Sequence, residues 1–248
     1  MVITNFLVYC PIKTNKSLFR CEQKHTVLKI DGQCLSHTFE VYHKISNKNK
    51  KLYLISEHTY FRNSYTNIIS KQTANIIYKK HIFDSLTLIS IFRCFWSNTD
   101  TKKCVDFGAG GGFPGLIISI FFPEIFITLL DSIERKINFH LGAFKILEGK
   151  NCNSICLRGE HFIHSSMHRK KYDVITSRAV AKLVDSLKLF LNLSKSKGKI
   201  FAMKKLKGCA KEINETSIYF STAKFKLKCL MKIDKRNSGK ILIIYMNK

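Results

Sequence analysis

Val105-Asp106-Phe107-Gly108-Ala109-Gly110-Gly111-Gly112-Phe113-Pro114-Gly115 is the stretch on which the fold turns. Cys104 to Phe107 is short and mostly apolar, as a buried strand is, and it runs straight into glycines. Glycine allows positive φ and lets a ligand come close to the backbone. Pro114 opens the next run, through Phe122, at a position where a helix does not miss the N–H. A strand, a glycine turn and a helix N-terminus together make a ligand site at the carboxyl edge of a sheet.

Two cofactors fit the spacing. Gly110-x-Gly112-x-x-Gly115 satisfies the dinucleotide pattern, and Asp131 lies nineteen residues after Gly112, where an acid would hold a ribose. Asp106, Gly108, Gly110 and Gly112 also satisfy acid-x-Gly-x-Gly-x-Gly, the loop for S-adenosylmethionine (SAM). A carboxylate at Asp106 repels a pyrophosphate but suits a sulfonium and an ammonium, which favours SAM.

Outward from the loop, strands and helices alternate. Ile125 to Leu130 is a continuous apolar strand, typical of a sheet covered on both faces. Ser132 is positioned to cap a helix carrying Ile133, Ile137, Leu141, Phe144 and Leu147 on one face, ended by Gly149. Further strands read at Ser154 to Leu157, Tyr172 to Thr176 and Lys199 to Met203, with a helix over Ala181 to Leu193. Phe225 to Ile233 and Ile241 to Met246 read as two strands around a turn at Asn237 to Gly239. The pattern predicts an α/β doubly wound, Rossmann-like sheet of the class I SAM-methyltransferase type. It is mostly parallel with an antiparallel edge. Upstream, apolar positions such as Leu52, Ile55, Tyr60, Ile82, Leu86 and Ile89 predict a small helical segment. The chain therefore divides into a basic extension without clear periodicity (1–45), a helical segment (46–100, closed by a turn cluster at Ser97 to Asp100) and the α/β unit (101–248).

Composition narrows the partners. The chain has 248 residues, with 42 Lys plus Arg against 17 Asp plus Glu, a formal net charge of +25. Nucleic acid is the first anionic partner to consider, because each phosphate neutralised releases a counter-ion. Lysine dominates, however, as it does in a lysine-rich composition generally. Nine cysteines, an odd number without C-x-x-C spacing, speak against a disulfide framework or a zinc site, so no metal is expected. Thiols at Cys104 and Cys156, both in predicted strands, are expected to be buried and inert in a reducing cytoplasm. Met1 to Cys10 lacks an export signal, and the apolar run from Leu116 to Leu130 is too short for a membrane span and is broken at Pro123. A cytoplasmic monomer with no membrane association is the expectation.

Extended beyond the loop, the sequence resembles the ribosomal RNA small-subunit methyltransferase G family, also called glucose-inhibited division protein B. The matching blocks occur in order: Asn67-Ile68-Ile69-Ser70, Lys80-His81-Ile82-Phe83-Asp84-Ser85-Leu86, the Gly-Phe-Pro-Gly at Gly112 to Gly115, Leu130-Asp131-Ser132, Ser177-Arg178-Ala179-Val180-Ala181 and Ala202-Met203-Lys204. The resemblance implies a methyltransferase acting on N7 of a guanine in the 530 loop of 16S rRNA, in free rRNA or in the small ribosomal subunit. It implies that Gly108 and Phe113 contact SAM, that Gly159 and Glu160 flank its adenine, and that Arg178 stands at the cofactor and substrate edge as the candidate catalytic residue. Three positions depart from the family pattern: Gly159 for a usual Ala, Lys182 for a common Pro, and Lys205 for a frequent Gly.

The residues themselves add to this. Asp131 would accept the ribose hydroxyls, and Gly110 and Gly112 would let the cofactor approach the main chain. Arg178 could contact guanine O6 and N7 in bidentate fashion, or form a structural ion pair. Arg135, Lys136, Lys204 and Lys205 are candidate phosphate contacts, although solvated lysines are the more common case. His81 and Asp84, one helical turn apart, read as a satisfied pair. Guanine N7 has a lone pair and no proton to lose, so its methylation needs alignment and no strong base. A dinucleotide-dependent oxidoreductase and a basic RNA-binding protein without catalysis remain the alternatives.

Overall fold

In the computed structural model, residues 46–95, 102–205, 209–219, 225–233 and 239–246 are described. The predicted turns at Ser97 to Asp100 and at Asn237 and Ser238, and the extension 1–45, lie outside them. Among the described residues four helical pieces precede the sheet: α1 (Ser46–Thr66), α2 (Lys71–Ala74), a π-helical segment (Tyr78–Ile82) and α3 (Phe83–Phe95). Then follow β1 (Lys102–Phe107), α4 (Gly115–Phe121), β2 (Ile125–Asp131), α5 (Glu134–Leu147), β3 (Cys152–Cys156), α6 (Gly159–His164) and β4 (Tyr172–Arg178). The chain continues with α7 (Leu183–Leu193), β5 (Ser194–Lys205), α8 (Cys209–Tyr219), β6 (Phe225–Ile233) and β7 (Gly239–Met246).

The sheet has seven strands in the order β3-β2-β1-β4-β5-β7-β6. β1 to β5 are parallel, while β7 runs antiparallel between β5 and β6. The expected doubly wound sheet with an antiparallel edge is therefore present. The strand order reverses between β1 and β4, which opens a crevice at their carboxyl ends. β1 is buried from Cys104 onward because both of its sides are paired and both faces covered. One apolar cluster joins Leu52, Ile55, Ile69 and Ile89 of the helical layer to Leu116, Ile127 and Phe201. The other face packs Val105 and Ile175 against Leu187 and Phe190 of α7.

Several local expectations are corrected. β3 begins at Cys152 instead of Ser154; as a half-buried edge strand it lacks a strong apolar pattern, and Cys156 is exposed rather than buried. The buried residues of α5 are Ile137, Phe139, His140, Ala143 and Leu147, with Leu141 facing out. α5 is covered by α1 as well as by the sheet (the His58 and Phe139 rings stack at 4.9 Å), so its buried stripe is wider and rotated. Ser132 makes no cap for α5, and the left-handed residue that ends it is Glu148, φ 52°, ahead of Gly149. α6 and α8 were not visible as periodic patterns because they are short or polar.

Candidate functional site

The glycine loop leaves β1 at Phe107 with Gly108, Gly110 and Gly112 at φ 70°, 58° and 77°. Three side chains from different elements hold it. Asp131, at the end of β2, accepts the Gly110 N–H at Oδ2 (2.8 Å) and the Ile133 N–H at Oδ1 (3.1 Å). Lys136 donates to Asp131 Oδ2 at 3.3 Å. His140 of α5 reaches the Gly110 carbonyl with Nε2 and the Ser154 hydroxyl with Nδ1, both at 2.8 Å. A carbonyl only accepts, so Nε2 carries the proton and the Ser154 hydroxyl donates to Nδ1. Burial pulls the His140 pKa down to about 4, which keeps the ring neutral. Asp106 completes the frame: it accepts the Gly115 N–H at 2.8 Å and the Thr176 hydroxyl at 2.9 Å.

Asp106 is fully buried, and burial raises its carboxyl to about 6, against the two bonds that favour the charge. It therefore does not meet a ligand's cation, as the sequence suggested. It fastens β1 to β4 and to the start of α4. Gly112 is also needed for another reason than ligand approach, since a Cβ there would overlap the Leu116 side chain. Gly108 faces Val180, 3.0 Å from where its Cβ would stand. Gly110 alone of the three looks onto open space, with nothing nearer than its own loop's Gly108 carbonyl at 3.9 Å.

The remaining predicted residues are dispersed around this loop. The Phe113 ring is 1% exposed and lies beneath the Arg178 guanidinium (5.6 Å) and beside His81 (5.4 Å). Arg178, the last residue of β4, donates to His81 Nδ1 at 2.7 Å and to the Lys80 carbonyl at 3.3 Å. The His81 ring in turn donates from Nε2 to the Thr73 hydroxyl at 2.9 Å. Its pKa falls to about 3 through burial and the nearby Arg178 and Lys80 charges. Thus His81 pairs with Arg178 and Thr73, and the predicted His81–Asp84 pair is replaced by this joint. Asp84 is lifted to about 6 by burial, opposed by the Arg178 and Lys80 charges.

Gly159 opens α6, and a Cβ there would overlap the Phe107 ring. The glycine at this position is thus matched to the large residue at the end of β1. Glu160 is exposed in the first turn of α6, and Arg135 is exposed in that of α5. Lys204 is held inside: its ammonium donates to the Val180 and Ala181 carbonyls and pairs with Glu212 at 3.1 Å. This leaves it little freedom to meet a phosphate. The Lys205 side chain lies outside the described residues. Among the described residues no group of His, Cys, Asp and Glu could hold a metal, and no helix is long and apolar enough to cross a membrane.

Sequence reasoning missed His140, Ser154, Thr176 and Thr73. His140 was legible in principle, standing three residues from both Ile137 and Ala143 on a buried helical face. A histidine there signals a specific polar partner inside.

Comparison with known proteins sharpens the picture. Residues 46–239 match the family described as rRNA small subunit methyltransferase G. A protein of Lysinibacillus sphaericus named ribosomal RNA small subunit methyltransferase G is 34% identical over 174 residues, covering 68% of this chain and 70% of the relative. One of Macrococcus caseolyticus with the same name is 33% identical over 177 residues, covering 70% and 71%. Among solved structures, a ribosomal protein L11 methylase from Lactobacillus delbrueckii subsp. bulgaricus superposes with a TM-score of 0.51 at 11% identity, covering 66% of this chain and 79% of that one. A SAM-dependent methyltransferase from Aquifex aeolicus gives 0.50 at 12% identity, covering 65% and 89%. At such identities the superpositions speak for the sheet architecture alone.

Proposed function

The chain belongs to the rRNA small subunit methyltransferase G family, and from that premise we propose that it transfers a methyl group from SAM to N7 of a guanine in the 530 loop of small-subunit rRNA. The observation that supports this reading most directly is the pre-set glycine loop. It stands at the crevice between β1 and β4, and its only open glycine, Gly110, is tied to a strand-end carboxylate. A nucleoside-bearing cofactor fits there. Backbone can approach at Gly110, and Asp131 Oδ1 accepts a single N–H, leaving capacity for a ribose hydroxyl.

SAM supplies an electrophilic methyl group on a sulfonium. The chain's own part is to hold and orient. In this reading Gly108 and Gly110 present main chain to the cofactor, Asp131 takes the ribose, and Gly159 with the exposed Glu160 borders the adenine. Phe113 contributes from beneath, by fixing the Arg178 guanidinium at the carboxyl edge. Arg178 has five N–H donors and uses two on His81 and Lys80, so its remaining ones can face substrate. The target nitrogen already carries its lone pair, and no side chain has to remove a proton for the methyl transfer itself. Alignment is then the main source of rate. We propose further that it acts in the cytoplasm, as a monomer.

Family membership sets aside the dinucleotide reading of Gly110-x-Gly112-x-x-Gly115. The test is methyl transfer from radiolabelled SAM to small ribosomal subunits lacking this modification, with the labelled base mapped. Label on a 530-loop guanine N7 is expected. SAM binding with no label on small-subunit rRNA would overturn the proposal.

A further inference from the structure

The outer face of the helical layer carries a row of aromatic side chains that the fold does not use. Among the described residues Tyr53 is 61% exposed, Tyr60 56%, Phe61 60%, Tyr65 73% and Tyr78 49%. Phe61 and Tyr65, one turn apart, touch edge to face with centroids at 5.3 Å. Exposed aromatics in such number are unusual on a surface that faces only water.

Charge says what kind of partner suits them. Residues 46–80 contain seven Lys or Arg and a single acid, Glu57. Lys50, Lys71 and Lys79 are exposed on this layer. Aromatic faces interleaved with cations are what unpaired bases and their phosphates require, since every base can stack and every phosphate needs a counter-charge. An acidic or purely apolar protein surface would match one half of this pattern and not the other.

The row also leads to the candidate site. Two residues beyond Tyr65 the chain turns at Asn67, and Ile68 and Ile69 then pack against Gly111 of the glycine loop. Two residues beyond Tyr78 stands Lys80, whose carbonyl is held by Arg178 at the end of β4. Both ends of the surface are therefore fastened to the carboxyl edge where the methyl group would be delivered.

We propose that the exposed face of α1 and the π-helical segment, with Tyr60, Phe61, Tyr65 and Tyr78 as stacking platforms and Lys71 and Lys79 as phosphate contacts, holds unpaired nucleotides of the RNA substrate. The proposal rests on the rRNA methyltransferase reading. It adds the place and the manner in which that RNA is gripped.

The experiment compares the full-length chain with a Tyr60→Ala, Phe61→Ala, Tyr65→Ala triple variant and a Tyr60→Phe, Tyr65→Phe double variant. Circular dichroism and SAM affinity serve as controls for folding. Anisotropy of a labelled single-stranded RNA loop and steady-state methylation of undermethylated subunits are the readouts. The alanine variant is expected to bind RNA at least about tenfold more weakly, with a raised KM for subunits and an unchanged kcat. The phenylalanine variant is expected to keep wild-type affinity, since stacking does not need the hydroxyl. Unchanged RNA affinity in the alanine variant would overturn the surface while leaving the methyltransferase reading intact. A change in self-association with RNA binding intact would also overturn it, in favour of a second copy as the occupant. Should the wild-type chain bind RNA and methylate none, the functional reading alone would fail, and the anisotropy would still decide the surface.

Discussion

Gly110 and Gly112 stand two residues apart with similar left-handed backbones, φ 58° and 77°, yet they should answer differently to an added methyl group. At Gly112 the methyl meets Leu116 as well as an unfavourable φ, so Gly112→Ala should lower folding stability by about 2–4 kcal/mol. At Gly110 only the backbone term remains, about 1–2 kcal/mol, while the methyl projects into the open space where a cofactor would approach. Denaturant titrations beside SAM calorimetry should show Gly112→Ala dominated by stability and Gly110→Ala by affinity; equal SAM affinity for Gly110→Ala and wild type would remove Gly110 from the binding surface. His140 gives a pH signature. Its folded pKa, about 4, lies below its ordinary 6.5. The stability it contributes is complete above pH 6.5 and is lost as the pH falls toward 4, because the unfolded chain takes the proton first. Relative to His140→Gln, which cannot titrate, the wild type should lose stability over that window. His81 should act in the same direction, whereas Asp84 and Asp106, raised to about 6, gain as acid protonates them. Subtracting the variant's pH profile from the wild type's isolates the His140 part, and a flat difference would contradict the buried neutral ring.

Between elements, Arg178 is the piece whose role the structure changes most. The family resemblance put it at the cofactor and substrate edge, as a candidate catalytic residue. In the fold it joins the end of β4 to the π-helical segment and lies over Phe113. Removing it strands His81 Nδ1, takes a hydrogen bond from the Lys80 carbonyl, leaves Asp106 without its neighbouring cation and leaves Asp84 with the Lys80 charge alone. Arg178→Ala should therefore cost about 2–4 kcal/mol of stability and speed proteolysis of the helical layer, as well as any effect on turnover. Wild-type melting in this variant would show that the joint holds nothing. The contrast shows what sequence can and cannot carry at this scale. β2 was legible because a buried parallel strand is continuously apolar, and β1 and β4 because short, mostly apolar runs lead into the glycine loop and into Arg178. The loop was legible because only glycine tolerates its backbone. The longer-range partners were not: Asp131 meets Gly110, His140 meets Gly110, Asp106 meets Thr176 and Arg178 meets His81 across 21, 30, 70 and 97 positions of chain, and spacing along the chain carries no record of such contacts.

At the scale of the molecule, the helical layer and one face of the sheet share a single apolar cluster, so neither has a separate core on that side. Chemical unfolding followed by circular dichroism and by hydrogen exchange at Leu52, Leu88 and Leu129 should give one coincident transition. Earlier release of Leu52 and Leu88 would mean that the layer opens by itself. The same arrangement has a consequence for the protein as it is being made. α1 to α3 leave the ribosome before β1 to β5, the strands of the parallel sheet that covers them, and β4, which pairs with β1, follows it by some 70 positions. The edge of β5 then waits for β7, its antiparallel partner. A growing chain of this design carries exposed greasy helices first and an open strand edge afterwards, and the β5 edge is covered only when β7 is in hand. Chaperone capture of stalled nascent chains should consequently persist until β7 has been made.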